Sequence, residues 1–183
     1  MLKLLENNQE FDYKLYQSQI VVDQFDTMVS ELDQAVTKFQ RAFPRKDSTW
    51  NYKFYNTFSL TSPSPLFYEL LSDLKTVIRE YVGDDRPLWF QSWINYHQPH
   101  QLLDWHDHQW PLHGYISIDP KESTTVFRKY EIQNQIGNIY IGPGNREHKV
   151  ESTEKFTTPR ITLGFDVTFT PSSPIGQFSL IPI

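Results

Sequence analysis

The spacing of apolar residues changes once along this chain. Up to about residue 84 they recur every three or four positions; beyond it they alternate with polar residues in short runs. Phe25, Met28, Val29, Leu32, Val36, Phe39 and Phe43 form one stripe of a helix. Asp23 or Asp26 can cap its start, and Pro44 stops it. A second helix is expected from Ser64, with Pro65 at its first position. Phe67, Leu70, Leu71, Leu74, Val77, Ile78 and Tyr81 make its buried face, and Gly83 suits a left-handed C-terminal cap. Ahead of both helices, residues 13–22 end in Ile20-Val21-Val22 and read as a strand. Both helices are expected to pack on a sheet and to carry no chemistry.

From Pro87 onward the candidate strands are 88–96, 105–108, 113–118, 125–130, 138–141, 147–152, 160–169 and 177–181. Asp119-Pro120, the turn Gly142-Pro143-Gly144-Asn145 and the Pro/Ser cluster at 171–174 divide them, as Ser62-Pro63-Ser64-Pro65 divides the helices. Short strands at this spacing indicate a sandwich or barrel, and a jelly roll, or double-stranded β-helix, holds eight. The expected fold is mainly β, a double-stranded β-helix supported by two or more N-terminal helices. At 183 residues it is read as one domain, with 1–86 as helical support and 87–183 as the core.

Composition narrows the function. Lys and Arg total 17 against 22 Asp and Glu, a net charge of −5, which argues against a protein that works by neutralising nucleic-acid phosphates. Cys is absent, which fits a reducing compartment. The first residues include Glu6 and Glu10 and lack the apolar core of a signal peptide. No run approaches the roughly 20 apolar residues of a membrane span. Aromatics make up 15% of the chain; most are expected in a β-rich core, leaving a few to line a pocket. There is no G-x-S-x-G elbow, Cys nucleophile, Walker loop or G-x-G-x-x-G.

The candidate chemistry is in the histidines. Five of the six fall in one window, His97, His100, His106, His108 and His113; the sixth is His148. In a strand His106 and His108 share a face and Asp107 points away, so two imidazoles can chelate one metal. His148 follows the Gly142–Asn145 turn and in a jelly roll can lie opposite His106. Arg160 and Thr162 share a face of a later apolar strand. An inward arginine needs an acidic partner, and a dicarboxylate ligand supplies one: the guanidinium fork takes the carboxylate and the Thr162 hydroxyl assists. Taken singly, each histidine fits a structural role, and Arg160 fits a strand-end cation or an internal salt bridge. Together they fit a metal site with a 2-oxo-acid cosubstrate. Asn95 and Tyr115 are placed to contact the cosubstrate from neighbouring strands. Trp105, Trp110 and Phe127 are placed to wall a substrate pocket. His113, if on the His108 side of its strand, replaces one ligand or binds substrate, and His97 and His100 are left as supporting or surface residues.

The ordered set Trp93-Ile94-Asn95, Trp105-His106-Asp107-His108, His113-Gly114-Tyr115-Ile116, Gly137 to Pro143 with His148, and Arg160-Ile161-Thr162-Leu163-Gly164-Phe165 resembles the 2-oxoglutarate- and Fe(II)-dependent oxygenases. Within them it resembles the oxygenases of phages and marine bacteria. The resemblance covers residues 88–169. It implies Fe(II) and 2-oxoglutarate as cofactors, and hydroxylation of a prime substrate with release of succinate and CO2. It also implies a cytoplasmic setting, in a bacterium or an infected host. Two positions depart from the pattern. Where the superfamily supplies a carboxylate ligand, this chain has His108; the set is three histidines, or Asp107 or Asp104 supplies the carboxylate. His113 stands where a small residue is expected. Two other classes stay open: a cupin-like three-histidine metalloenzyme needing no 2-oxo acid, and a non-catalytic jelly-roll binding module. The expected partners are the unnamed prime substrate and, at most, a second copy of the chain, with neither nucleic acid nor membrane.

Overall fold

The computed structural model describes residues 1–42, 55–61, 63–98, 103–152, 155–171 and 180–183. Phe43, Pro44, Ser62, His100, most of the Pro/Ser cluster at 171–174 and most of the 177–181 strand lie outside the described residues.

The chain opens with an antiparallel hairpin, β1 (Leu2–Asn8) and β2 (Tyr13–Ser18). β1 is an exposed edge strand, so burial imposes little alternation on it and no pattern announces it. The strand expected over 13–22 stops at Ser18. Its neighbour over 138–143 pairs no further than Gln17 with Asn138, so there is no ladder to continue. The β-branched run instead turns into α1 (Gln19–Asp23), which sends Val21 into the core.

Two long helices follow the threefold and fourfold spacing. α2 (Phe25–Ala42) buries Met28, Leu32, Val36 and Phe39. A short α3 (Thr57–Leu60) is capped by the Asn56 side chain, which accepts from Phe58 N at 3.0 Å. α4 (Pro65–Val82) begins at its Ser64 cap with Pro65 in the first turn, and ends at Gly83 with φ 78°. That backbone conformation suits glycine, which has no Cβ to clash. Phe67, Leu70, Leu74, Val77 and Ile78 are its buried stripe.

The remaining strands are β3 (Trp89–His97), β4 (Leu112–Asp119), β5 (Ser123–Phe127), β6 (Glu131–Gln133), β7 (Asn138–Pro143), β8 (His148–Ser152), β9 (Arg160–Thr168) and β10 (Ile181–Pro182). They form a seven-stranded sheet, β1-β2-β7-β4-β9-β3-β10, and a three-stranded sheet, β6-β5-β8. The first two strands thus belong to the main sheet, and the region before residue 87 is not helical support alone. One face of the large sheet packs on α2 and α4 through Ile116, Ile118, Ile139, Ile141, Ile161, Leu163, Phe165 and Val167. The other face meets the small sheet, where Tyr13, Leu15, Tyr115 and Tyr140 pack against Phe127 and Ile132. This is a double-stranded β-helix backed by helices. Among the described residues, no helix is long and apolar enough to cross a membrane.

β9 shows how strand alternation places the site. All nine of its residues are buried. Ile161, Leu163, Phe165 and Val167 face the helices. Period two therefore turns Arg160, Thr162, Gly164 and Asp166 toward the space between the sheets. β3 and β4, the neighbours of β9, contribute Asn95, His97, His113 and Tyr115 to the same interior by register.

Candidate metal centre and anion pocket

The segment carrying His106 and His108 is not the regular strand expected over 105–108. It pairs with β8 at one bridge, where His106 N donates to His148 O and His148 N to His106 O, both at 2.9 Å. On either side the pairing drifts: Val150 N donates to Leu103 O, and His108 N to Gly144 O. The three residues His106 to His108 thus span the five from Gly144 to His148. Gly144 permits the close approach, since a Cβ there would lie 2.0 Å from Trp110 O. The consequence is chemical. Directly paired residues project side chains to the same face, so His106 and His148 come together across two segments.

His106, His108 and His148 converge, each offering one ring nitrogen, with these atoms within 4.8 Å of one another. Their outer nitrogens are all tied to oxygen acceptors. His106 Nδ1 donates to Asp104 O at 2.7 Å, His148 Nδ1 to Arg146 O at 2.8 Å, and His108 Nδ1 contacts Asp166 Oδ2 at 3.3 Å. Each contact puts the proton on Nδ1 and the lone pair on Nε2, the arrangement found in metal-ligating histidines. His108 Nε2 is buried and has no hydrogen-bond partner among the described residues. Burial, then the neighbouring His113 and His106, push the His148 pKa down to about 2; burial likewise lowers that of His106. Both imidazoles are therefore neutral, as metal binding requires. A three-nitrogen set suits Fe(II), Co(II), Ni(II) or Zn(II). Asp107 and Asp104 are exposed, and the Asp104 carboxylate accepts from Trp105 N at 2.8 Å.

Arg160 sits at the other end of the same pocket. It is 1% exposed. Its Nε donates to Ser123 Oγ at 3.0 Å and one terminal nitrogen to His97 Nδ1 at 3.4 Å. Among the described residues no carboxylate lies within ion-pair distance of it. Burial lowers its pKa to about 10, so it remains a cation at neutral pH. Around it stand neutral polar groups. Asn95 Nδ2 donates to Thr162 Oγ1 at 3.2 Å, and Trp93 Nε1 to Asn95 Oδ1 at 3.0 Å. The Tyr115 hydroxyl is buried beside Thr125 without a well-formed hydrogen bond among the described residues, and burial keeps it protonated. Thr162, Asn95 and Tyr115 all line the pocket.

Trp105, Trp110 and Phe127 do not line it. Trp105 lies between cations, with Arg128 3.7 Å and Lys149 5.1 Å from its ring. Trp110 is buried behind the Gly144 turn. Phe127 belongs to the smaller core, its ring 5.2 Å from that of His148. His113 does line the pocket, and its Nδ1 donates to Asp166 at 2.9 Å. His97, set aside on sequence, touches Arg160. Asp166 was missed altogether, although alternation from Arg160 through Thr162 and Gly164 leads to it.

No family model and no curated protein matches the sequence. Solved structures share the fold. AviO1 from Streptomyces viridochromogenes superposes with a TM-score of 0.60 at 11% identity, covering 88% of this chain and 91% of that one. SnoK, a non-haem α-ketoglutarate-dependent carbocyclase from nogalamycin biosynthesis, gives 0.57 at 13% identity over 92% and 88%. ThoJ, a non-haem monooxygenase in complex with nickel, gives 0.51 at 11% identity over 80% and 72%. Identities this low establish the fold, and the chemistry has to be argued from the residues in the pocket.

Proposed function

We propose that this protein is an Fe(II)- and 2-oxoglutarate-dependent oxygenase that hydroxylates an organic substrate. The observation that carries the reading is Arg160: a fully buried guanidinium, without an acidic partner among the described residues, in the same pocket as three convergent imidazoles. An uncompensated buried charge is costly. A dicarboxylate bound between the two ends of the pocket offsets that cost and explains why the arginine is there.

His106, His108 and His148 would hold the metal. The three would supply three nitrogen donors, leaving room for oxygen donors from the other ligands. The chemistry the metal supplies when bound is dioxygen activation coupled to conversion of 2-oxoglutarate to succinate and CO2. The chain's own residues bind and orient. Arg160 takes the distal carboxylate in a charge-assisted pair. Thr162 and Tyr115 offer hydroxyls from β9 and β4, and Asn95 holds Thr162 in place. Arg160, Thr162, Asn95 and Tyr115 are all buried, which strengthens each of these interactions.

The three-histidine set favours a second reading, a cupin-type metalloenzyme whose substrate binds the metal directly. A buried cation with no function then goes unexplained. Anaerobic loading with Fe(II), followed by air and 2-oxoglutarate, separates the readings. Stoichiometric iron and 2-oxoglutarate-dependent succinate support the oxygenase. Iron uptake without succinate favours the cupin-type enzyme, and no iron uptake favours a binding module.

A further inference from the structure

A carboxylate, that of Asp166 on β9, stands behind His108. Asp166 is 3% exposed. Its Oδ1 lies 3.1 Å from His108 Nδ1 and 2.9 Å from His113 Nδ1, and its Oδ2 lies 3.3 Å from His108 Nδ1. One carboxylate thus accepts from two imidazoles. The rings of His108 and His113 stack at 3.6 Å with an interplanar angle of 11°. Trp93 lies beside both, at 5.6 and 6.1 Å. Its indole fills the space over Gly164, where a Cβ would come within 2.5 Å of it. His108 therefore has its ring plane fixed by stacking and its ring rotation fixed by Asp166.

The same atoms suggest a different site, because His108, His113 and Asp166 also converge. Geometry disfavours it. The short contacts to Asp166 suit N–H donors, whereas a metal there would require those nitrogens unprotonated. His106 and His148, by contrast, rest on backbone carbonyls, which carry no net charge.

We propose that Asp166 is a positioning residue for the metal. It accepts a hydrogen bond from His108 Nδ1–H, presents His108 Nε2 to the cation, and supplies from behind the ligand the negative charge that three neutral histidines lack. This rests on the reading that His106, His108 and His148 hold the metal. His113 is then a wall, stacked on His108 and anchored by the same carboxylate, and not a fourth ligand.

The test uses the full chain and Co(II), followed by visible absorption, with histidine 15N NMR on the metal-free protein. Wild type is expected to bind one Co(II) and to show His108 protonated on Nδ1. Asp166→Asn should lower Co(II) affinity about 10- to 100-fold, shift the Co(II) bands and move proton density on His108 toward Nε2. His113→Phe, which keeps a stacking ring, should leave Co(II) affinity near wild type. A merely structural Asp166 would lower the melting temperature and leave the bands and tautomer unchanged, which would overturn the proposal. Loss of Co(II) in His113→Phe but not in His148→Ala would also overturn it, placing the metal at the second cluster. If wild type takes up no Co(II), the three-histidine reading falls and the proposal with it. If wild type binds while Asp166→Asn binds as well with the same spectrum, only the proposal falls.

Discussion

The two faces of β9 lie on one strand and serve different ends. Toward the helices it presents Ile161, Leu163, Phe165 and Val167, all within one apolar cluster. Toward the small sheet it presents Arg160, Thr162, Gly164 and Asp166. Both faces are equally buried, so burial alone says nothing about role. The outer face gains free energy from excluding water. The inner face holds a cation, a carboxylate and a hydroxyl out of water, which lowers stability unless something binds. A folded protein retains such a face for function, and the two faces should respond to mutation in opposite ways.

The largest effect on stability belongs to the outer face. Leu163→Ala leaves a cavity between sheet and helices and should cost about 2–5 kcal/mol in chemical denaturation. Fe(II) and 2-oxoglutarate binding by the folded fraction should stay near wild type. Reduced binding in fully folded protein would show that the faces are coupled.

On the inner face, Arg160→Leu should weaken 2-oxoglutarate binding by about ten- to more than a hundredfold, the loss of a charge-assisted pair of about 1.5–3 kcal/mol. Iron binding should persist. The melting temperature of the ligand-free protein should hold or rise, because a buried unpaired charge has gone. Arg160→Lys should recover part of the affinity, since an ammonium lacks the planar fork. A large fall in melting temperature with Arg160→Leu would mean that the arginine is structural.

Acid should expose the inner face more gradually. Burial, then Arg160, hold the His97 pKa down to about 4; burial, then His108, do the same for His113. In the unfolded chain both titrate near pH 6.5. Between those values the unfolded state binds more protons, so stability falls as the pH drops through this window, and His148, held down to about 2, continues the fall below it. The slope is on the order of 1 kcal/mol per pH unit for each histidine. Thermal unfolding of metal-free protein from pH 7 to 4 should show it, and His97→Leu should flatten it. The smallest effect is expected of Asp107→Ala. Its side chain is exposed, so stability should change by less than about 0.5 kcal/mol and metal binding not at all. Loss of metal there would restore the carboxylate-ligand reading.

The contrast between faces also marks what the sequence could reveal. α2 and α4 were legible because one stripe of each is buried, and Ser64-Pro65 and Gly83 mark the ends of α4. Arg160 and Thr162 were legible as a pair because a regular strand turns alternate residues the same way. The segment from Leu103 to His108 was not, because its course depends on a distant contact with Gly144. Alternation over 105–108 is thus not what brings His106, His108 and His148 together. Ile20-Val21-Val22 misled because β-branched residues signal a strand only where a partner exists, and the neighbour ends at Asn138. Trp105 adjoins His106 in sequence, yet its ring packs with Arg128 and Lys149; Phe127 shares the inward face of β5 with Thr125 and lies against His148, outside the pocket lining. Asp166 gave no motif, since its significance comes only from the His108 and His113 rings that β4 and the preceding segment bring against it.

Anaerobic titration of the Fe(II)-loaded protein with 2-oxoglutarate, followed in the visible region, tests the central claim most directly. A 2-oxo acid chelated to Fe(II) gives a metal-to-ligand charge-transfer band. The account predicts a saturable band in wild type, no band in His148→Ala for want of metal, and a band in Arg160→Leu that saturates only at about ten- to more than a hundredfold higher 2-oxoglutarate. Wild-type protein that holds Fe(II) stoichiometrically and yet gives no band at any 2-oxoglutarate concentration would contradict it.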